Sequence, residues 1–151
     1  ADNRHTRVCI LRTGIVLSKD GGMLPKLVLP FKLGLGAVLA SGSQYISWIH
    51  IQDMVNGILF LIDTPEARGA FNFTSPNPIT NRRFAKVLSR TLFRPCLFKI
   101  PSFVIKMMMG ESATLLIDGQ RAIPQHLLDK HYRFAFEHID EALAHILVKK
   151  I

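Results

Sequence analysis

Apolar residues come in short runs along this chain, punctuated by Gly and Pro. Val8-Cys9-Ile10-Leu11 is continuously apolar between Arg7 and Arg12 and gives way at Gly14. That pattern suits a strand buried on both faces, as in a parallel sheet. Asp20-Gly21-Gly22 predicts a turn. Leu27, Val28, Phe31 and Leu35 recur at helical spacing across residues 24–35, with Pro30 as a kink or break. Residues 37–40 and 45–48 predict two short strands around Ser41-Gly42-Ser43. The clearest helix runs from His50 to about Asp63, ahead of Pro65. Ile51, Val55, Ile58, Leu59 and Ile62 make its apolar stripe, the pattern of a face turned toward a core.

Residues 70–74 alternate as a strand does, and Ser75-Pro76-Asn77-Pro78 is a loop. Thr80 or Asn81 can cap a helix reaching about Phe93. Residues 97–100 predict a short strand, and Pro101 opens a helix ending near Gly110. Residues 112–117 and 124–130 read as helical, and 133–136 as a strand. Asp140 begins the last helix, with Leu143, Ile146 and Leu147 facing inward. Strands and helices alternate, so the expected class is α/β. Only about two strands read as central parallel ones, which is few for a self-contained α/β domain. There is no internal repeat, low-complexity tract or long linker.

The length of 151 residues is that of one domain, whereas a dinucleotide oxidoreductase with its own substrate domain takes about two. With 48% apolar and 20% charged residues, the composition excludes disorder. Nineteen Lys and Arg against eleven Asp and Glu give a net charge of +8. The cations read as spread along the chain, from Arg4 to Lys99, and are densest in 81–94. A helix there puts Arg82, Lys86 and Arg90 on one face, a solvated basic face or a contact for an anionic small ligand or partner. No aromatic residues interleave for base stacking, so nucleic acid is not an expected partner. Two cysteines, Cys9 and Cys96, make no disulfide scaffold, and the expected compartment is the reducing cytoplasm. Ala1-Asp2-Asn3-Arg4-His5 has no apolar signal core, and the start reads as mid-protein. The charge-free stretch 33–52 is too broken to span a membrane, so no membrane association is expected.

Several chemical motifs fail. Gly34-Leu35-Gly36 follows a helical run and has Leu39 where a dinucleotide loop needs glycine. No phosphate-binding loop is present, and neither Tyr45 nor Tyr132 has a lysine four residues on. The six histidines form no metal pattern, and His138 and His145 read as solvent-facing on the last helix. Four clusters remain. Tyr45 to Asp53 places polar groups where a strand hands over to a helix N-terminus, with His50 and Asp53 either capping and packing or lining a site. Arg12-Thr13-Gly14-Ile15-Val16 ends a buried strand, where ligands of open α/β sheets bind. Gly14 there either lets the backbone approach a ligand or is an ordinary strand-to-loop glycine. Gly110-Glu111-Ser112 and Gly119-Gln120-Arg121 are polar islands. Arg121 either clamps a phosphate or carboxylate, or pairs with Glu111 or Asp118.

Seven blocks in order resemble one protein group. They are Arg7-Val-Cys-Ile-Leu-Arg12-Thr-Gly-Ile-Val16-Leu, Asp20-Gly-Gly, Leu29-Pro-Phe-Lys-Leu-Gly-Leu-Gly36, Ser47-Trp-Ile-His-Ile-Gln-Asp53, Phe71-Asn-Phe-Thr-Ser-Pro76, Gly110-Glu-Ser and Gly119-Gln-Arg-Ala-Ile-Pro124. The group is the epimerase-like branch of the extended short-chain dehydrogenase/reductases, and the resemblance covers its C-terminal half. It implies the late part of a Rossmann-type NAD(P)-binding fold in residues 7–20 and 70–76. Residues 21–69 and 77–151 would then form a small mixed α/β substrate domain with flanking helices.

The resemblance also implies NADP as cofactor, met at its nicotinamide end by Thr13, Gly14, Ile15 and Val16. Trp48, His50 and Arg121 would serve the substrate, with Asp53 beside them at the hinge between domains. No catalytic residue and no metal site are expected in this half. The implied function is a part of an NAD(P)-dependent nucleoside-diphosphate-sugar epimerase-like or reductase protein. It would be inactive without its N-terminal dinucleotide-binding half, and a non-catalytic ligand-binding or regulatory module is the alternative. The expected partners are the cofactor, a small-molecule substrate and the missing half, with a homo-oligomer as a further option. Where the group carries a basic residue before the Gln-aromatic pair, this chain has Ser43.

Overall fold

A computed structural model describes residues 6–148, without the side chains of residues 108, 109, 111, 112, 115 and 116. The expectations about Arg4 and His5, the open N-terminus, and the side chains of Glu111 and Ser112 lie outside the described residues.

Strand β1 (Cys9–Thr13) is followed across Gly14 by β2 (Ile15–Leu17), and helix α1 (Leu24–Lys32) leads to β3 (Gly36–Leu39). Then come β4 (Tyr45–Ile46), β5 (Trp48–His50), helix α2 (Ile51–Ile62), β6 (Gly69–Phe73) and β7 (Ile79–Thr80). Helix α3 (Asn81–Thr91), β8 (Cys96–Ile100) and helix α4 (Ser102–Met109) follow. A 3₁₀ turn (Gly110–Ala113) and the short helices α5 (Thr114–Ile117) and α6 (Gln125–Asp129) precede the last helix, α7 (Ile139–Leu147).

The expected parallel pair is present. β1 lies beside β6 in parallel, from Cys9 opposite Gly69 to Thr13 opposite Phe73. Chain direction then shifts partners: β2 pairs in parallel with β5, and β3 in parallel with β8. β4 runs antiparallel to β7. Residues 37–40 and 45–48 therefore form no pair with one another, and each joins a strand from a distant part of the chain. Residues 133–136 are irregular rather than a strand. Their N–H groups are taken by a carboxylate, with Ala135 and Phe136 donating to Asp53 at 2.7 and 3.0 Å. Helix α1 continues through Pro30. The proline is exposed, so the carbonyl it leaves without an intrahelical donor can turn to water.

Two main cores hold the molecule together. Trp48, Phe84, Leu88 and Leu143 centre the first, between α1, α3 and α7. Phe71, Phe73, Leu61 and Leu127 centre the second, between β6, α2 and α6. Thr80 caps α3 by accepting from the Arg83 N–H, and Arg83 reaches Asp140 on α7 at 3.0 Å.

Helix α2 sits the other way round from its pattern. Its apolar stripe, Ile51, Val55, Ile58, Leu59 and Ile62, is between 36% and 61% exposed. The buried edge is Asp53, Gly57 and Leu61. A Cβ on Gly57 would stand 2.7 Å from the Phe73 ring, so the glycine is what lets this edge lie against β6. The run 8–11 differs similarly: among the described residues β1 has a partner on one edge only, and Val8 and Ile10 are exposed. No helix among the described residues is long and apolar enough to cross a membrane.

Candidate functional site

Because β1 and β6 are parallel, their carboxyl ends fall together at Thr13 and Phe73. Beyond them opens a cleft of about 800 Å³. Its near wall is the β1–β2 turn, and Arg12, Thr13, Gly14, Ile15 and Val16 all line it. The turn is fixed by backbone bonds: Gly14 N–H donates to Phe73 O at 3.1 Å, and Ile15 N–H to Ser47 O at 2.8 Å. A Cβ on Gly14 would lie 2.5 Å from the Ser47 carbonyl oxygen and 2.9 Å from Thr74 Cγ2. Glycine is thus required there by the approach of two strands.

The far wall is segment 118–122, laced across the strand ends. The Ser47 hydroxyl donates to Gln120 O and accepts from Ala122 N–H at 2.9 Å. Thr74 Oγ1 donates to Ala122 O at 3.3 Å, and Asn72 Nδ2 to Ile123 O at 3.1 Å. Gly119 has φ +35° and passes so close to the Tyr45 backbone that a side chain would not fit. The Arg121 guanidinium lies 5.4 Å over the Tyr45 ring, a cation–π contact at the rim, and it is exposed.

Trp48 and His50 stand behind this cleft. Trp48 is fully buried in the first core, with Nε1 donating to Asn77 O at 3.2 Å. His50 is 2% exposed and caps α2: its Nδ1 accepts from the Gln52 N–H at 3.0 Å. That backbone donor dictates the tautomer. Neutral His50 carries its proton on Nε2, which donates to His145 Nδ1 at 3.2 Å. The His50 ring also stacks on Phe136, with centroids 3.9 Å apart. His145 is therefore not the solvent-facing residue that its spacing suggested, while His138 is exposed.

Burial, reinforced by the nearby His145, lowers the His50 pKa to about 4. Burial raises the Asp53 carboxyl above its usual range, with Glu137 adding to it, against two N–H bonds that pull it down. Tyr132 donates to Asp53 O and is pushed up to about 12 by burial and by the Asp53 charge. The capping and packing reading of His50 and Asp53 has this geometry behind it: together they clamp the loop before α7 onto the start of α2.

The cleft holds polar residues that the sequence reading did not single out. Asn72 and Thr74 stand two apart at the end of β6, and Ser47 faces them. The signal available was the alternation of residues 70–74, which puts both on one face. Nothing in the sequence announces that Ser47 holds segment 120–122. Among the described residues, no three His, Cys, Asp or Glu side chains gather as a metal site.

Residues 100–146 match a family described as a domain of unknown function (DUF1731). The chain is 43% identical over 138 residues to "Epimerase family protein SSP1921" of Staphylococcus saprophyticus, covering 91% of this chain and 46% of that one. Among solved structures it resembles the human epimerase family protein SDR39U1 with NADPH. There the TM-score is 0.91 at 33% identity, over 96% of this chain and 50% of that one. It also resembles a nucleoside-diphosphate sugar epimerase from Corynebacterium glutamicum. That match has a TM-score of 0.74 at 30% identity, over 94% of this chain and 26% of that one. The chain spans about half the length of the curated relatives it matches. The fold is mixed α/β with parallel strand pairs, as in the Rossmann-type NAD(P)-binding proteins it resembles.

Proposed function

We propose, from the premise that the chain belongs to the epimerase-like branch of the short-chain dehydrogenase/reductases, that it is the substrate-side half of an NADP-dependent epimerase-like or reductase protein. The observation that carries this reading is the cleft at the carboxyl ends of the β1–β6 pair, lined by Thr13, Gly14, Ile15 and Val16. The human relative is solved with NADPH, which supports a nicotinamide cofactor for this family.

The cleft suits one end of such a cofactor. Its polar lining is mostly backbone, hydroxyl and amide groups from Thr13, Ser47, Asn72, Thr74 and Gln120, with Arg12 and Asp118 as charged residues among those described. Neutral groups of this kind match a nicotinamide carboxamide. A pyrophosphate calls for glycine-rich backbone at a helix N-terminus, which these residues do not provide. The phosphates would be held by an N-terminal dinucleotide-binding half, so the chain alone is inactive. When bound, the cofactor would supply hydride transfer at a carbinol carbon of the substrate. This chain would orient the two reactants and exclude water.

Arg121 would meet an anionic group of a nucleoside-diphosphate sugar or related small molecule at the rim. Trp48 and His50 would act on the substrate from behind, by fixing Ser47 and the α2 start. The exposed stripe of α2 and the free edge of β1 support an apolar docking face for the missing half. Two free cysteines, with Cys9 donating to Ala67 O, favour a reducing compartment such as the cytoplasm.

The test is a fluorescence titration with NADPH. The chain is measured alone and after co-expression with the dinucleotide-binding half of the Staphylococcus saprophyticus relative. Binding should require both pieces. Tight binding by this chain alone would sink the division of labour. The second reading, a non-catalytic module, rests on the cleft's ionisable lining among the described residues being Arg12, Tyr45 and Asp118. It predicts a complex that binds NADPH and oxidises none with any nucleotide sugar.

A further inference from the structure

Away from the cleft, α1, β3, α3, β8 and α4 enclose a second cavity of about 270 Å³. Its walls are almost wholly apolar, with Leu27, Phe31, Phe84, Ala85, Ile100 and Ile105 prominent. Two polar residues join them. Asn81 is 2% exposed, and its Oδ1 accepts from the Leu39 N–H at 2.8 Å. A backbone donor can face only the oxygen, so the orientation of the amide is settled. That leaves Nδ2 with no protein acceptor among the described residues, on a side chain that lines the cavity. Lys26 is the second, an exposed cation on the lining.

The elements that enclose the cavity carry charge of one sign. The chain has no Asp or Glu between Asp20 and Asp53, nor between Glu66 and Glu111. All five enclosing elements come from those two windows. They carry two cations on α1, four on α3 and one each on β8 and α4, with no carboxylate. Of these cations Lys26 lines the cavity, while Arg83 is paired with Asp140 on α7. A second copy docking by this face would set like charges against each other. A small molecule with an apolar body and an acidic head meets both features.

We propose that this cavity is a binding site for an amphipathic carboxylate, a medium-chain acyl acid, with the chain among Phe31, Phe84 and Ile105 and the head toward Lys26. Asn81 keeps its Oδ1 on the Leu39 N–H and contributes to the wall of the cavity. A cavity of 270 Å³ holds about nine groups of the ~30 Å³ that a water claims in the liquid, and a methylene is of similar size. The inference stands apart from the cofactor cleft and from the function proposed for it.

Isothermal titration with straight-chain carboxylates from hexanoate to dodecanoate, below their micelle concentrations, tests it. Affinity should tighten about fourfold per methylene and then level off near decanoate, with one site per chain. Lys26→Glu should weaken carboxylate binding several-fold and leave decanol within about twofold. Ala85→Leu should remove both by filling the cavity. Because Ala85 is a core residue, Leu35→Asp at the exposed mouth serves as a second variant and should also weaken carboxylates. Non-saturable uptake, tightening that never levels off, or carboxylate affinity unchanged in both Lys26→Glu and Leu35→Asp would overturn the proposal. So would a dimer that forms through this face and excludes decanoate.

Discussion

Acid should loosen this fold through one imidazole. His50 has a pKa of about 4 in the folded chain against 6.5 unfolded. The folded value is the lower one, so the neutral ring is the form that folding favours. Its contribution is complete above pH 6.5 and is lost as the pH falls from 6.5 toward 4, because the unfolded chain binds the proton first. A shift of this size corresponds to about 3 kcal/mol at most. His50 is 2% exposed, but its Nε2 faces half-buried His145, and relaxation there reduces the expected loss to about 2 kcal/mol. The geometry gives a floor: a proton on Nδ1 would face the Gln52 N–H and cancel the α2 cap, a loss of about 1 kcal/mol. The assay is urea unfolding from pH 7.5 to 4, comparing the wild type with His50→Asn, whose side-chain oxygen can keep the cap. Between pH 6.5 and 4 the wild type should lose about 2 kcal/mol more than the variant. Equal losses would refute the reasoning, as would an NMR titration placing His50 near 6.5.

Three other outcomes follow from the packing. Gly57→Ala should destabilise the chain by about 1–3 kcal/mol in denaturant melts, because the new methyl meets Phe73 at 2.7 Å. Helix propensity alone would give up to about 1 kcal/mol of the opposite sign, so the sign decides. Asp53→Asn should cost about 2–3 kcal/mol at pH 7, since one amide oxygen cannot serve both the Ala135 and Phe136 donors. Hydrogen exchange at those two amides should quicken in the variant. Val55→Ser with Leu59→Ser should change chain stability by no more than about 0.5 kcal/mol per site, because both residues are exposed. The same pair should lower self-association in sedimentation and weaken co-purification with a dinucleotide-binding half.

The contrast between helices α3 and α2 shows what periodicity can and cannot reveal. In α3 the cap at Thr80, the buried Phe84 and Leu88, and the outward Arg82, Lys86 and Arg90 all agree with the pattern. The core of that helix lies within the chain. In α2 the period is just as clear, yet the apolar side faces out. An apolar stripe says that something covers it without saying what. The edge against β6 is chosen by Gly57, a residue that hydrophobic patterning ranks as nothing. The cleft divides the same way. Residues 13–16 line the cleft because a parallel strand ends there, although that strand is far less buried than its apolar run suggests. Segment 118–122 reaches the same cleft through the Ser47 hydroxyl, more than 70 residues away in sequence, which no local pattern encodes. Trp48 and His50 were located correctly at the handover from β5 to α2, but alternation cannot say which neighbours their rings meet.

The two uncovered apolar regions differ in a way that bears on their partners. The exposed stripe of α2 belongs to a helix whose one charged residue, Asp53, is buried. Such a face can be desolvated without stripping any ion of water, which suits burial against another protein surface. The cavity enclosed by α1, α3, β8 and α4 stands instead among cations with no carboxylate on the same elements. Closing a protein over its mouth would cost desolvation of the Lys26 ammonium or require a matching acid. A small acid that leaves its head at the rim avoids that cost. The two regions therefore answer to different partners, and a variant in one should leave binding at the other unchanged.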